Sequence, residues 1–396
     1  MFSPLFYMPG ALVQALQAHV GDFTMAAKLQ RSDVRSRIAL FLLVILSTFS
    51  PLAFSQTQPT PSSVEPLSVG FVYVSPIFEA GWTQQHDQGR RALEAALGNK
   101  LKTRFVADVS EGSDAERVIR DLAMTGSRLI ITTSFGYMEP TLKVAAQFPQ
   151  VKFIHVSGYK QSPNVATVNA RYYEGRYLAG IVAGKSTKTN TLGYVAAFPI
   201  PEVLQGINAF TLGARSVNPA VQVRVIWTQT WTDPAKEREA AKTLIGQGAD
   251  VLTHHTATTA VAQTAEEQGV RFIAYTSDMS KFAPKAQLLA VTHHWGDYYI
   301  QAARQILAGT WQSTNTWGGL KTGMVKLSAW NADVNRSLVA QVDLISQQMM
   351  AGTLHPFTGP IKDNNGKLQW EKSAMPDPII EKMNYLVEGI VGRLQQ

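Results

Sequence analysis

One unit recurs along most of this chain: a short apolar run of strand length, then an amphipathic helical segment. Serial βα units imply parallel sheets, and this constrains the fold more than any other feature. The strand runs are Leu67–Ser75, Leu101–Val106, Arg128–Thr133, Val151–Val156 and Val165–Asn169, then Thr191–Ala197, Val221–Trp227, Val251–His254, Arg271–Tyr275, Gln287–Thr292 and Met324–Ser328. Between them the pattern predicts helices over Thr83–Leu97, Ser113–Thr125, Pro140–Phe148, Tyr172–Gly184, Pro201–Val217, Pro234–Gln247, a segment ending at Gln268, Tyr298–Leu307 and Asn335–Ala351. In the first of these, Ala92, Leu93, Ala96 and Leu97 share a face. Ser113-Asp-Ala-Glu116 reads as a capping box, and Asp233-Pro234 as a cap followed by proline at the first helical position. After Ala351 a Gly/Pro/Asn-rich tail, Thr353–Gln369, precedes Pro378–Leu394, which is expected to end in a helix.

The loops after the strands carry Trp82, Phe135, Tyr137, Trp231, His254, Asp278 and Trp295. Open parallel sheets bind ligands at the carboxyl ends of their strands, so these residues fall on the edge where a ligand is expected. A planar ligand stacked on such rings gains about 1–3 kcal/mol per face; packing as hinge core is the competing role. Asp278 suits hydrogen bonds from an exocyclic amine or ribose hydroxyls, or it caps the next turn. Asn169 ends its strand run. Lys321 is placed to neutralise Asp278 or donate to a ring nitrogen, its competing role being a solvated surface lysine.

Several chemistries lack their signatures. No G-x-S-x-G elbow and no H-E-x-x-H occur. Ala179–Ser186 nearly matches a phosphate loop, but Ala179 replaces the first glycine and the segment ends a helix instead of opening one. Gly184 is therefore read as a helix terminator. His254-His255 and His293-His294 raise a zinc site of His254, His294 and Asp278, yet adjacent strand residues face opposite sides, so each pair offers one ligand at most. No metal and no cofactor are expected. The net charge of +7 is modest and spread along the chain, and no basic run or RNA-binding fingerprint points to nucleic acid.

Arg31, Arg35 and Arg37 precede the apolar stretch Ile38–Leu46, and Ala53-Phe54-Ser55 follows. This is the pattern of an export signal cleaved after Ser55, too short for a comfortable membrane span. Met25 is an alternative start. Residues 56–66 read as a flexible Pro/Ser/Thr-rich leader. The absence of cysteine excludes disulfides and an acylated amino-terminal cysteine, which leaves the mature protein free in the periplasm.

Seven motifs, in order and spacing, resemble the basic membrane protein family of substrate-binding proteins, which includes purine-nucleoside receptors of ABC importers. They are Gly81-Trp82-Thr83, Glu111–Glu116, Thr132–Tyr137, Tyr173–Gly180, Trp231–Pro234, Ser277-Asp278-Met279 and Pro356–Pro360. The resemblance runs from Leu67 to about Pro360. It implies an α/β fold of the type I periplasmic-binding-protein kind, with two lobes, each a parallel sheet flanked by helices. The expected lobes are 67–170 with 294–323, and 171–293 with 324–396. It further implies a purine base or nucleoside in the cleft and an inner-membrane ABC permease as partner; since the chain lacks a catalytic constellation, no catalysis is expected, and the protein is expected to be a monomer. Trp82 and Trp231 stand where the family's aromatics stack, and Asp278 and Lys321 fall near its polar positions. This chain departs from the family in lacking a lipobox cysteine and in the apolar loop Ser75–Trp82, which favours a free base such as adenine. A sugar-binding protein and a ligand sensor for a membrane signalling partner remain the alternatives.

Overall fold

The structure is a computed structural model and describes residues 65–394. The expected export signal, its cleavage after Ser55 and nearly all of the leader lie outside the described residues. No helix among the described residues is long and apolar enough to cross a membrane.

The expected αβ alternation is present and builds two large sheets. The first takes β1 (Leu67–Val72), β2 (Leu101–Val106), β3 (Leu129–Thr132), β4 (Lys152–Val156) and β5 (Val165–Ala170), joined by α1 (Trp82–Leu97), α2 (Ser113–Met124) and α3 (Met138–Ala145). Helix α4 (Tyr172–Ser186) then leads into the second sheet. That sheet takes β6 (Thr191–Ala196), β7 (Gln222–Trp227), β8 (Val251–His255), β9 (Arg271–Thr276) and β10 (Gln287–His293), joined by α5 (Pro201–Val217), α6 (Pro234–Gly246) and α7 (Ala260–Gln268). After α8 (Gly296–Leu307) the chain returns to the first sheet as β11 (Asn315–Gly318) and crosses back as β12 (Val325–Ser328). Helix α9 (Arg336–Ala351) follows, then the hairpin β13 (Ile361–Lys362) and β14 (Leu368–Trp370), the short α10 (Asp377–Ile380), and β15 (Ile390–Val391). The strand orders are β11-β5-β4-β3-β1-β2 and β12-β10-β9-β8-β6-β7-β15. Every pairing in the two large sheets is parallel except β10 with β12.

Burial explains the composition of the strands. Residues of β3, β5, β8 and β10 are buried on both faces, so they read as continuous apolar or Thr/His runs without alternation. Helices α2 and α3 cover one face of the first sheet through Val118, Ile119, Ile130 and Phe153. Helices α6 and α7 cover one face of the second through Leu244, Val261, Leu252 and Phe272. The remaining faces share one larger core that takes in α4, α5 and α8.

Local chemistry accounts for several boundaries. The Asp233 side chain accepts from the amides of Ala235 and Lys236, and Pro234 opens α6 as expected; such a cap contributes about 1 kcal/mol. Four expectations need correction. The residue preceding α2 is Gly112 at φ 90°, with no side-chain cap; Glu116 instead pairs with Arg120 and Lys143, so the capping box does not form. Gly184 lies inside α4 and does not end it. A Cβ there would sit 2.5 Å from the Ala214 carbonyl oxygen, and one at Gly180 would fall on that of Phe210. The two glycines let α4 and α5 touch backbone to backbone. The buried face of α1 carries Gln85, His86, Gly89, Arg90 and Leu93, while Ala92 and Ala96 are exposed, because α1 packs on α8 through His86 and Tyr299. Finally, Pro378–Leu394 forms no long helix: the chain turns after Ile380 and pairs β15 with β7.

Candidate functional site

Both sheets reverse their strand order at one point. In the first, β1 lies between β2 and β3; in the second, β6 lies between β7 and β8. A crevice opens at such a switch point, beyond the carboxyl ends of the strands. Here the two crevices face each other and enclose one cavity. The first sheet lends Val74, Trp82, Ser134, Phe135 and Ser157; the second lends Ile200, Glu202, Trp231, His255, Thr256, Ala257 and Thr276. About 440 Å³ of atom-free space, mouth included, restricts an occupant to a small molecule.

On the first wall the polar side-chain atoms of Trp82 and Ser134 are engaged. Trp82 Nε1 donates to the Thr133 carbonyl at 2.7 Å. Its ring stands edge-on to His86 and Trp295, with centroids 4.5 and 6.0 Å away. Ser134 Oγ donates to Glu111, which also accepts from the Gly136 amide, and the Ser134 carbonyl meets His155 Nε2 at 2.8 Å.

On the second wall Thr256 and Thr276 are engaged as well, but three other side chains are not. Pro201 opens α5 and places Glu202 in its first turn, where the helix dipole favours a carboxylate. Glu202 is 6 % exposed; Oε1 lies 3.5 Å from His255 Nε2, and Oε2 has no partner. His255 Nδ1 and Trp231 Nε1 are likewise buried without partners. Burial pushes the His255 pKa down; Glu202 opposes this, and the Arg176 charge reinforces it. Arg176 is fully buried, donates to Thr253 Oγ1 and the His254 carbonyl, and stacks its guanidinium 3.3 Å from the Tyr275 ring centroid. The loop after β8 is held from below: Thr256 and Thr258 donate to Glu237 at 2.8 and 2.7 Å, and burial raises the Glu237 pKa to about 7 against those bonds.

Where the β1–α1 loop meets the loop after β9, the Gly81 amide donates to Ser277 Oγ at 2.7 Å, and Lys281 pairs with Glu79. Gly81 has φ 106°, and a Cβ there would lie 2.5 Å from the Ala257 carbonyl oxygen. Only glycine allows the β1–α1 loop to approach the second wall this closely.

The structure brings Trp82, Phe135 and Trp231 to the cavity. Asn169 lines a smaller cavity that shares Phe135, Ser157 and Glu202 with the first, and its Oδ1 accepts from the Ala170 amide. The other named residues stand elsewhere. Tyr137 is buried and donates to the Val109 carbonyl. His254 is buried over Phe272, its Nδ1 3.3 Å from Thr256 Oγ1; its neighbour His255 reaches the cavity instead. Trp295 is buried one layer behind Trp82, stacked on His86. Asp278 is exposed and accepts from Ser280 and Gln287, capping its own turn. Lys321 is exposed and does not line the cavity. Among the described residues, no three His, Asp or Glu side chains gather as metal ligands.

Sequence reasoning missed Glu202, and from the His254-His255 pair it selected His254 in place of His255. The rule that found Trp82 also reaches Glu202, the second residue of a helix that follows a strand. For His255 the strand offered no phase, since all five residues of β8 are buried.

Residues 67–354 match the family described as PnrA-like ABC transporter substrate-binding proteins, Bmp. The chain is similar to a purine-binding protein of Brucella abortus, at 48% identity over 84% of this chain and 95% of that one. It is also similar to a protein of Haloferax volcanii named as an ABC transporter glucose-binding protein, at 34% identity over 84% of this chain and 83% of that one. Among solved structures, a solute-binding protein of an ABC transporter system from Aeropyrum pernix superposes with a TM-score of 0.64 at 19% identity, covering 75% of this chain and 93% of that one. That likeness shows the same fold.

Proposed function

This chain belongs to the PnrA-like family of ABC transporter substrate-binding proteins, and on that premise we propose that it captures a purine and delivers it to an inner-membrane permease. Adenine ranks first among ligands, and other purine bases or nucleosides second. The observation that carries this reading is a small cavity at both switch points, with Trp82 on one wall and Trp231 on the other. Flat apolar walls with few polar groups suit a heterocycle. The similarity to the Brucella purine-binding protein supports the same ligand class. The protein acts without catalysis, as a periplasmic monomer released after Ser55. Its lobes are 67–170 with 294–323 and 171–293 with 324–396, and they close around ligand, which binds the closed state more tightly.

Glucose is the second reading, favoured by the Haloferax relative and by the fact that sugars also stack on tryptophan. Mass spectrometry of the ligand released from purified protein, followed by calorimetry with adenine, adenosine, guanosine and glucose, separates the two. The purine reading expects adenine to bind most tightly. Tight glucose binding with no purine binding would overturn it.

A further inference from the structure

Of the residues lining the cavity, three have a buried polar atom without a partner: Glu202 Oε2, His255 Nδ1 and Trp231 Nε1. All three come from the second sheet. A buried polar atom left unpaired is costly, and a ligand that supplies its partner recovers that cost. Their chemistry is fixed enough to specify that partner. A carboxylate only accepts, and an indole N–H only donates. The imidazole nitrogen facing Glu202 at 3.5 Å is Nε2. In the neutral ring Nε2 therefore carries the hydrogen, and Nδ1 keeps a bare lone pair. The wall offers two acceptors and one donor. Asp278 does not compete for the role, since Ser280 and Gln287 already engage it.

Resting on the purine reading, we propose that Glu202 is the residue that selects the ligand. Its Oε2 accepts an N–H from the edge of the heterocycle. His255 holds the carboxylate through Oε1, and Trp231 Nε1 donates to a ring nitrogen or carbonyl beside that N–H. The site then takes flat nitrogen heterocycles that carry an N–H donor next to an acceptor. It rejects those of the same shape whose donor is blocked.

Calorimetry tests this on the full mature chain with adenine, 9-methyladenine, N6,N6-dimethyladenine, cytosine and glucose, for the wild type and Glu202→Gln. For the wild type, at least one methylated adenine should bind roughly tenfold or more weakly than adenine, as for loss of a hydrogen bond to a charged group. In Glu202→Gln, adenine should weaken by a similar factor, and its advantage over that analogue should shrink to within about threefold. Wild-type protein that binds both analogues as tightly as adenine overturns the inference. So does a gap that persists in the variant, since the methyl group is then rejected by shape alone. Glu202→Asp, which keeps the charge but retracts it, replaces the first variant should that one not fold, with the same outcomes expected. Cytosine binding that depends on Glu202, with no purine bound, would uphold this inference and end the purine reading. Glucose binding with no heterocycle bound would end both.

Discussion

The two walls of the cavity are built at equivalent places in two similar sheets, yet they differ in what their polar atoms do. On the first, Trp82 Nε1 and Ser134 Oγ are engaged by Thr133 and Glu111. On the second, Glu202, His255 and Trp231 each hold a buried atom without a partner. Side chains whose hydrogen bonds are already made have little to offer a ligand's polar edge, and the Trp82 ring serves as a surface to stack on. A wall with open hydrogen bonds is costly in the protein alone, and it gains most from the ligand that completes it. The comparison predicts that first-wall changes alter stability as well as affinity, and that second-wall changes act mainly on affinity.

The largest effect should fall on the histidines beneath both walls. Burial holds His155 at a pKa of about 4 and His254 at about 3, and also lowers His86, His255 and His293. Unfolded, each returns to about 6.5. Below that pH the unfolded chain takes up protons that the folded chain refuses, so stability is full above about 6.5 and falls as pH drops toward 4 and below. Glu237, raised to about 7, and Glu174, also raised by burial, work in the opposite sense between their unfolded and folded values, but they are two carboxyls against five imidazoles. Thermal melts from roughly pH 8 to pH 4 should show a falling midpoint; a midpoint that rises on acidification would mean these rings are not held neutral.

Next come the aromatic faces. Trp82→Ala and Trp231→Ala should each weaken adenine binding by about 1–3 kcal/mol, a factor of roughly 5–150. Trp82→Ala should also lower the melting temperature more, because its ring packs on His86 and Trp295 and its N–H is bonded. Equal losses of melting temperature would erase the difference between the walls.

How much of this was legible in the sequence follows the same division. Helix α5 appears with its expected ends, Pro201 and Val217, and Asp233 caps α6 as read, because proline, cap residues and periodicity are local signals. The strand ends placed Trp82, Phe135 and Trp231 at the edge where the cavity opens, for the same reason. The partnership of Glu202 with His255 was not legible. It joins residues from two elements across a buried surface, and both faces of β8 are covered, so alternation says nothing. The polar buried face of α1 was hidden likewise, since His86 is buried against Tyr299 and Trp295, which lie far along the chain. Asp278 drew notice as a carboxylate at a strand end, but a local turn claims it.

A finer pair of substitutions crosses the comparison. Trp231→Phe keeps a ring and removes the unpartnered N–H; adenine binding should weaken by about 0.5–1.5 kcal/mol with little change in melting temperature. Trp82→Phe removes an N–H already bonded to Thr133; stability should fall by a similar amount while affinity holds within about threefold. The reverse pattern would break the account. The smallest effect belongs to the contact between the β1–α1 loop and the loop after β9. Lys281→Ala removes an exposed pair with Glu79 and should cost at most about 1 kcal/mol in affinity, vanishing at high salt. A larger loss, insensitive to salt, would mean that this contact governs closure.

The most direct test is a crystal structure of the protein with adenine bound. The account predicts the base between Trp82 and Trp231, with an N–H of its edge on Glu202 Oε2 and an acceptor facing Trp231 Nε1, while Trp82 and Ser134 keep their bonds to Thr133 and Glu111. Adenine seated with its polar edge on the first wall, or reaching Asp278 and Lys321 while Glu202 Oε2 stays unpaired, would contradict it.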